Sequence, residues 1–219
     1  MKSEIKGSQA FSYVEVELAP DEVIVTESDA MSSMDADIEL KARLNGGLFK
    51  GLLRKYLGGE SLFVNHFSNP TNTPKKMTIV QGTPGEICHR KLDDEVYYLQ
   101  PGAFIACSPG ITLGLEFAGL VSFISREGLF RLKMSGSGDL YFGAYGALLE
   151  REVDGEYIVD SSHLVAYEPG IKLKLQLAGG IFSSLFGGEG LVTRVEGKGK
   201  IIIQSRSITG LAGWLNPKF

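Results

Sequence analysis

Apolar and polar residues alternate with a period of two along much of this chain. In the segment 171–177, isoleucine or leucine occupies every second position, and lysine or glutamine fills the positions between. The segments 38–44 and 113–117 repeat the pattern. Because successive side chains of a β-strand point to opposite faces of the sheet, each segment predicts a strand with one apolar face. The three strands are expected to be equivalent, within an all-β fold.

Frequent glycine and proline residues predict turns between short strands. The stretches 108–110 and 168–170 both place Pro before Gly, which is typical of a type II turn. The two Gly-x-Gly sequences, at 136–138 and 197–199, are expected to be equivalent hairpin turns.

An internal repeat organises these elements. Residues 104–111 align with 164–171 without a gap, and a second signature, Glu followed by Gly or Ser and then Leu, occurs in all three thirds of the chain. We therefore predict a single domain of three tandem pseudo-symmetric β-units, which form one sandwich-like or barrel-like body with short helical or loop insertions. The units are expected at about 8–80, 81–154 and 155–219, with turns near 81–85 and 153–155.

The segment 46–59 breaks the alternation. On a helical wheel its large apolar residues fill one half and its basic residues lie on the other, which predicts an amphipathic basic turn or short helix. A helix of about ten residues is marginal alone and needs a surface on which to dock. The predicted interaction surface consists of Leu48, Phe49, Leu52, Leu53, Arg54, Lys55, Tyr56 and Leu57. Glycine-flanked apolar segments also occur at 179–188 and 208–215.

Composition narrows the classes of partner and compartment. Binding to a phosphate backbone needs clustered Lys and Arg, and the formal net charge of −4 gives no reason to expect it, so we do not expect nucleic acid binding. Cys88 and Cys107 lie in strand-like segments without metal-type spacing, which favours small core residues in a reducing compartment. The sequence shows no secretion signal and no run of 18 apolar residues, so we expect a cytoplasmic protein.

The sequence carries no common catalytic motif, and we expect no enzyme, cofactor or metal site. His66, His89 and His163 fall at unlike positions of the three units and are expected to be partly exposed strand residues. Cys88 and His89 cannot form a nucleophile and base pair in a strand, because neighbours point to opposite faces.

Three acids do follow the repeat. They could gather near the axis and bind a cation, pair with Arg or Lys across units, or each accept backbone hydrogen bonds within its own turn. The sequence leaves these alternatives open for Glu60, Glu127 and Glu189.

Several motifs in order resemble a known family. They are Gly46-Gly47-Leu48-Phe49, Gly59-Glu60-Ser61-Leu62-Phe63, Gln100-Pro101-Gly102 and Leu211-Ala212-Gly213-Trp214-Leu215. Together they are similar to a bacterial and archaeal family related to the mitochondrial biogenesis protein Aim, which is assigned a fold like that of the trp RNA-binding attenuation protein. The resemblance implies an internally repeated all-β body, often oligomeric, and supplies no catalytic residue. Its fungal members are linked to mitochondrial inner-membrane organisation.

Two functional hypotheses follow. The first is a non-enzymatic scaffold or interaction module, a closed homo-oligomer with a trimer as the leading expectation, that presents its apolar segments to a protein or a membrane surface. The second is a small-ligand-binding protein or an unrecognised enzyme with a site between repeats or subunits.

Overall fold

β-Strands dominate the computed structural model, which describes residues 1–44, 63–117, 130–177 and 191–216. The prediction of an all-β fold is confirmed. The strands are β1 (Lys2–Lys6), β2 (Tyr13–Leu18), β3 (Val23–Glu27), β4 (Met31–Met34), β5 (Glu39–Leu44), β6 (Phe63–Ser68), β7 (Lys75–Ile79), β8 (Ile87–Leu99), β9 (Phe104–Cys107), β10 (Ile111–Phe117), β11 (Phe130–Gly143), β12 (Leu148–Asp160), β13 (Leu164–Tyr167), β14 (Ile171–Leu177) and β15 (Leu191–Gln204). The helical elements of these ranges are a 3-10 turn (Ser161–His163) and α1 (Ile208–Leu215).

The strands form two sheets. The smaller has the order β1-β2-β7-β4, and the larger has the order β12-β15-β13-β8-β11-β9-β3-β6-β5, with β10 beside β11 and β14 beside β15. All the strand pairings of the described ranges are antiparallel. One hydrogen-bonded sheet therefore runs through strands from the first, middle and last thirds of the chain.

The three alternating segments are strands, as predicted. Each forms an antiparallel pair with the next strand along the chain: β5 with β6, β10 with β11, and β14 with β15. An isoleucine is buried at or just before the start of each, at Ile38, Ile111 and Ile171. The apolar face is not buried along its whole length, because Leu40 is 47% exposed.

The two Gly-x-Gly sequences lie inside long strands, so the prediction of hairpin turns was wrong. Both glycines of each pair have positive φ, at 119° and 144° in β11 and at 123° and 153° in β15. Each long strand changes its neighbour at these glycines. One edge of β11 pairs with β10 before them and with β9 after them, and β15 pairs with β14 before them and with β13 after them. The glycines therefore bend a strand where it passes from one neighbour to another.

The two Pro-Gly turns precede β10 and β14, but they are not type II turns. Gly110 and Gly170 lack the positive φ that this turn type requires. Glycine is needed there for close approach: a Cβ on Gly110 would lie 2.4 Å from the carbonyl oxygen of Ser137, and one on Gly170 would lie 2.3 Å from that of Lys198. The two turns thus make equivalent contacts with equivalent bends.

The predicted boundary at 81–85 is a loop, whereas residues 153–155 lie in the middle of β12. The prediction of a turn at 153–155 was wrong because Gly155, with φ of 113°, continues the strand opposite Gly197. The connection between β11 and β12 lies instead at 144–147. The division into three units stays a prediction.

Buried side chains form clusters between and within the sheets, and both cysteines belong to the same one. Cys107 is fully buried, and desolvation raises its pKa to about 12. Cys88 packs against this cluster from a partly exposed position. Among the described residues, α1 is the longest helix, and no helix there has the length and apolar character needed to cross a bilayer.

Candidate functional site

The helix α1 presents an uncharged apolar surface. None of its eight residues is buried, and its large side chains are 40% to 62% exposed: Ile208, Leu211, Trp214 and Leu215. Its sequence, ITGLAGWL, contains no charged residue. A helix that is apolar on all sides is normally buried against another surface.

The local sequence supports this helix only weakly. Ser207 caps its start, because the Ser207 Oγ accepts a hydrogen bond from the Gly210 amide at 3.0 Å. However, Gly210 and Gly213 each cost about 1 kcal/mol relative to alanine inside a helix. Eight residues are also too few for a stable isolated helix. We therefore expect α1 to gain stability from a docking surface.

A second uncharged surface lies between the small sheet and the loop 81–85. It is an open groove of about 460 Å³, and none of its eleven lining residues carries a charge. The phenyl ring of Phe11 is 69% exposed at this groove, in a turn closed by a hydrogen bond from the Phe11 amide to the Ser8 carbonyl at 2.9 Å. The other apolar lining side chains are those of Tyr13, Val80 and Pro84.

The groove and the start of α1 lie on either side of the 144–147 connection between β11 and β12. On one side, the Gly146 amide donates to the Pro84 carbonyl at 3.0 Å, at the edge of the groove. On the other side, the Arg206 amide donates to the Tyr145 carbonyl at 3.2 Å, two residues before α1 begins. The two uncharged surfaces therefore lie at the same end of the protein.

A larger cavity, of about 700 Å³, covers the outer face of the small sheet. Most of its charged side chains are paired with one another: Lys6 contacts Glu15 at 2.5 Å and Glu4 at 3.5 Å, and Lys2 contacts Glu17 at 3.7 Å. This surface is a solvated network of opposite charges and does not concentrate one sign of charge.

His89 takes part in a half-exposed polar cluster on β8 and β11. Its Nε2 lies 2.8 Å from Asp139 Oδ1, and its ring stacks on that of Tyr141 at 4.9 Å. The Tyr141 hydroxyl in turn hydrogen-bonds to Ser3 of β1. Cys88 packs into the core on the opposite face of β8, as predicted, so it is not paired with His89.

Arg131 joins the middle and last thirds of the chain. Its guanidinium lies 4.0 Å from the ring centroid of Tyr98, donates to the Tyr167 hydroxyl at 3.1 Å and donates to Glu116 at 2.7 Å. Lys133 contacts the other oxygen of Glu116 at 3.1 Å. The hydrogen bonds and charges of Arg131 and Lys133 lower the pKa of the Glu116 carboxyl. The polar groups of this cluster therefore hydrogen-bond and pair with one another across neighbouring strands.

Two buried polar atoms near this junction have no hydrogen-bond partner among the described residues: the Tyr97 hydroxyl and Arg90 Nε. The Arg90 guanidinium lies 4.3 Å from the Tyr97 ring centroid and contacts Glu168 at 3.2 Å. Burial raises the pKa of Tyr97, so its phenol stays protonated. The guanidinium over the ring compensates in part for the missing hydrogen bond.

The described residues contain no group of three His, Cys, Asp or Glu side chains able to hold a metal ion. Three strands of the larger sheet lie between His66 in β6 and His89 in β8. His163 lies in the 3-10 turn rather than in a strand, and its Nδ1 contacts the Gln204 carbonyl at 2.6 Å.

The interaction residues predicted from the sequence, Leu48 to Leu57, lie outside the described residues, as do Glu60, Glu127 and Glu189. Those hypotheses stay predictions. The sequence did point to the apolar segment 208–215, which forms α1. The groove was missed because its walls come from residues 11–13, 32, 78 and 80–85, which share no local pattern.

Comparisons with known proteins agree with the resemblance seen in the motifs. The model of a family described as mitochondrial biogenesis AIM24 matches residues 3–206. An uncharacterised protein of Streptococcus pyogenes serotype M6 is 28% identical over 224 residues, which cover 98% of this chain and 90% of that protein. A crystal structure of a Streptococcus pyogenes protein superposes with a TM-score of 0.80 at 27% identity, covering 100% of this chain and 99% of the other.

Proposed function

This chain belongs to the mitochondrial biogenesis AIM24 family, and on that premise we propose that it is a non-enzymatic scaffold that assembles with copies of itself. The observation that carries the proposal is α1, a helix with four large exposed apolar side chains and no charge. Contiguous apolar surface of this kind marks an interaction site on a folded protein.

The expected assembly is a closed homo-oligomer, and a ring of three copies is the leading expectation. Closed symmetry lets every copy cover its apolar helix, whereas an open chain of copies would leave one exposed. A fold like that of the trp RNA-binding attenuation protein, which the resemblance implies, agrees with an oligomer but does not by itself carry a function.

A membrane surface is the other docking partner to be considered. Attraction to an anionic bilayer comes from Lys and Arg near the lipid, at about 1 kcal/mol each. The chain has a net charge of −4 and α1 contains no basic residue. These charges favour a protein surface over a bilayer as the partner of α1.

The mass of the protein in solution tests the proposal. Light scattering over a range from micromolar to sub-millimolar protein should give an oligomer for the wild type. Gly213→Glu should lower the mass to that of a monomer, because it places a charge on α1 at a position where an added Cβ meets no neighbouring atom within 4 Å. Gly213→Ala is the matched control and should keep the oligomer. A wild-type monomer at all concentrations would refute the scaffold proposal.

A small-ligand-binding protein is the second candidate. The observation in its favour is the groove of about 460 Å³, which lies within the range of about 300–1,000 Å³ typical of ligand pockets. Native mass spectrometry of the purified protein tests it. A bound small molecule that is lost on Gly82→Glu would establish this function.

A further inference from the structure

We infer that the groove lined by Phe11, Tyr13, Val80 and Pro84 receives the helix α1 of a second copy of this chain. The inference rests on the proposed scaffold function and deepens it by naming the two surfaces that meet.

The first argument is the match in charge. About one residue in five of the chain is charged, at 22%, yet neither α1 nor the lining of the groove contains a charged residue. An uncharged groove excludes a charged segment, because a buried charge without a partner is costly. Among the described surfaces, α1 has the chemistry that this groove accepts.

The second argument is the match in size and shape. The groove has a volume of about 460 Å³, which has room for an aromatic ring together with an aliphatic side chain. Leu211 and Leu215 lie four residues apart and therefore share one face of α1. Their side chains are 40% exposed, as is required of residues that enter another copy.

The third argument is placement. The groove and the start of α1 flank the 144–147 connection, so a copy that offers its helix also brings its own groove to the contact. Two copies that each dock a helix in the groove of the other form a closed dimer. Three or more copies that each dock a helix in the next copy form a closed ring. In both cases each copy gives one helix and receives one.

Two glycines allow a sharp test. A Cβ added at Gly82 in the groove or at Gly213 in α1 would meet no neighbouring atom within 4 Å, and neither residue has the positive φ that would strain a side chain. We therefore expect Gly82→Glu to block the groove and Gly213→Glu to block the helix, with the fold retained in each case. Gly82→Ala and Gly213→Ala are the controls, and circular dichroism checks that all four variants are folded.

Each glutamate variant alone should associate at least about tenfold more weakly than the wild type, because docking would bury an unpaired charge. The mixture should form a 1:1 complex, because Gly82→Glu keeps an intact helix and Gly213→Glu keeps an intact groove. Trp214 is the single tryptophan of the chain. Its emission should shift to the blue on mixing Gly82→Glu with a Gly213→Glu copy in which Trp214 is replaced by Phe.

The other outcomes separate the inference from the function on which it rests. Loss of assembly in Gly213→Glu but not in Gly82→Glu would overturn the groove as the receptor and leave the scaffold standing. Loss in both variants without a complex on mixing would also overturn it. A wild-type monomer whose Trp214 emission shifts only with phosphatidylglycerol vesicles would overturn both proposals in favour of a membrane surface.

Discussion

Ser108 and Glu168 hold the same hydrogen bond at equivalent bends of two long strands. The Ser108 Oγ accepts from the Asp139 amide at 3.0 Å, and Glu168 Oε2 accepts from the Lys200 amide at 2.9 Å. Both residues stand directly before a Pro-Gly turn and both lie against the second glycine of a Gly-x-Gly bend. In both bends a backbone amide therefore donates to a side-chain oxygen, but the residue that supplies this oxygen differs.

The two acceptors should differ in their contribution to stability. Ser108→Ala removes the hydrogen bond from the Asp139 amide and a longer one, of 3.4 Å, from Ser108 Oγ to the Asp139 carboxylate, and should lower the free energy of unfolding by about 1 kcal/mol. Glu168→Ala also removes the contact with Arg90 at 3.2 Å and should cost about 2–3 kcal/mol. Urea unfolding at neutral pH measures both. Glu168→Gln is the control: it keeps an acceptor for the Lys200 amide and should fall between the two, and an equal loss in all three variants would contradict this account.

Gly136 should not tolerate any side chain. Its φ of 119° is unfavourable for other residues, and a Cβ would lie 2.3 Å from the Gly110 carbonyl oxygen. Gly136→Ala should therefore destabilise the protein by more than about 2 kcal/mol. Gly82→Ala is the matched control and should leave the melting temperature within error, because that position is open. Similar melting temperatures for the two variants would show that the bend is not needed.

Much of the larger sheet could be predicted from local pattern. The strands β10 and β14 follow the period-two alternation, and their Pro-Gly turns follow from composition. Whether the Gly-x-Gly sequences form hairpin turns or strand bends could not be predicted from local pattern. Glycines in a hairpin turn and glycines in a bent strand look alike in sequence, and the difference depends on which strands lie alongside.

One part of the candidate site, α1, could be predicted from local sequence, whereas the other part, the groove, could not. The apolar segment that forms α1 is local, so the sequence could indicate it, but its exposure depends on how the rest of the chain packs. The groove depends on contacts between residues that are far apart in sequence, such as the hydrogen bond from the Ser12 amide to the Gly85 carbonyl at 3.2 Å. No periodicity of a single segment encodes such a contact.

Asn69 should be essential to the connection between β6 and β7. It is fully buried, its Nδ2 donates to the carbonyls of Leu18 and Thr73, and its Oδ1 accepts from Thr71. Asn69→Asp would place a carboxylate oxygen against two carbonyls and should cost at least about 3 kcal/mol at neutral pH. Because burial would raise the pKa of the new carboxyl, part of the loss should be recovered on acidification. Thermal melts at neutral and mildly acidic pH check both expectations, and an effect equal to that of Thr71→Val would contradict them.

Glu116 should make stability depend on pH in the acidic range. Its folded pKa is lowered, mainly by the hydrogen bond from Arg131, relative to an unfolded value of about 4.3. Its stabilising contribution is therefore present above that unfolded pKa and is lost as the pH falls through the folded pKa. Because Glu116 is 35% exposed, the contribution should be about 1 kcal/mol or less.

Urea midpoints of wild type and Glu116→Gln measure this dependence. The midpoints should differ most at neutral pH and converge as the pH falls through the lowered folded pKa of Glu116, where the wild-type carboxyl becomes protonated. A constant difference across the range would show that Glu116 acts through packing and not through its charge.

Phe49 and Leu53 test whether the segment 46–59 is a docking face, as its sequence predicts. Replacing both by Ser should leave the β-body folded, because this segment is an insertion relative to the middle unit, while assembly or membrane association weakens. If the two side chains belong to the core, the double change should instead cost several kcal/mol, since each large buried apolar residue contributes about 2–5 kcal/mol. Thermal melts, light scattering and liposome co-sedimentation on one variant separate the cases. A large fall in melting temperature with unchanged assembly and liposome binding would eliminate the docking face.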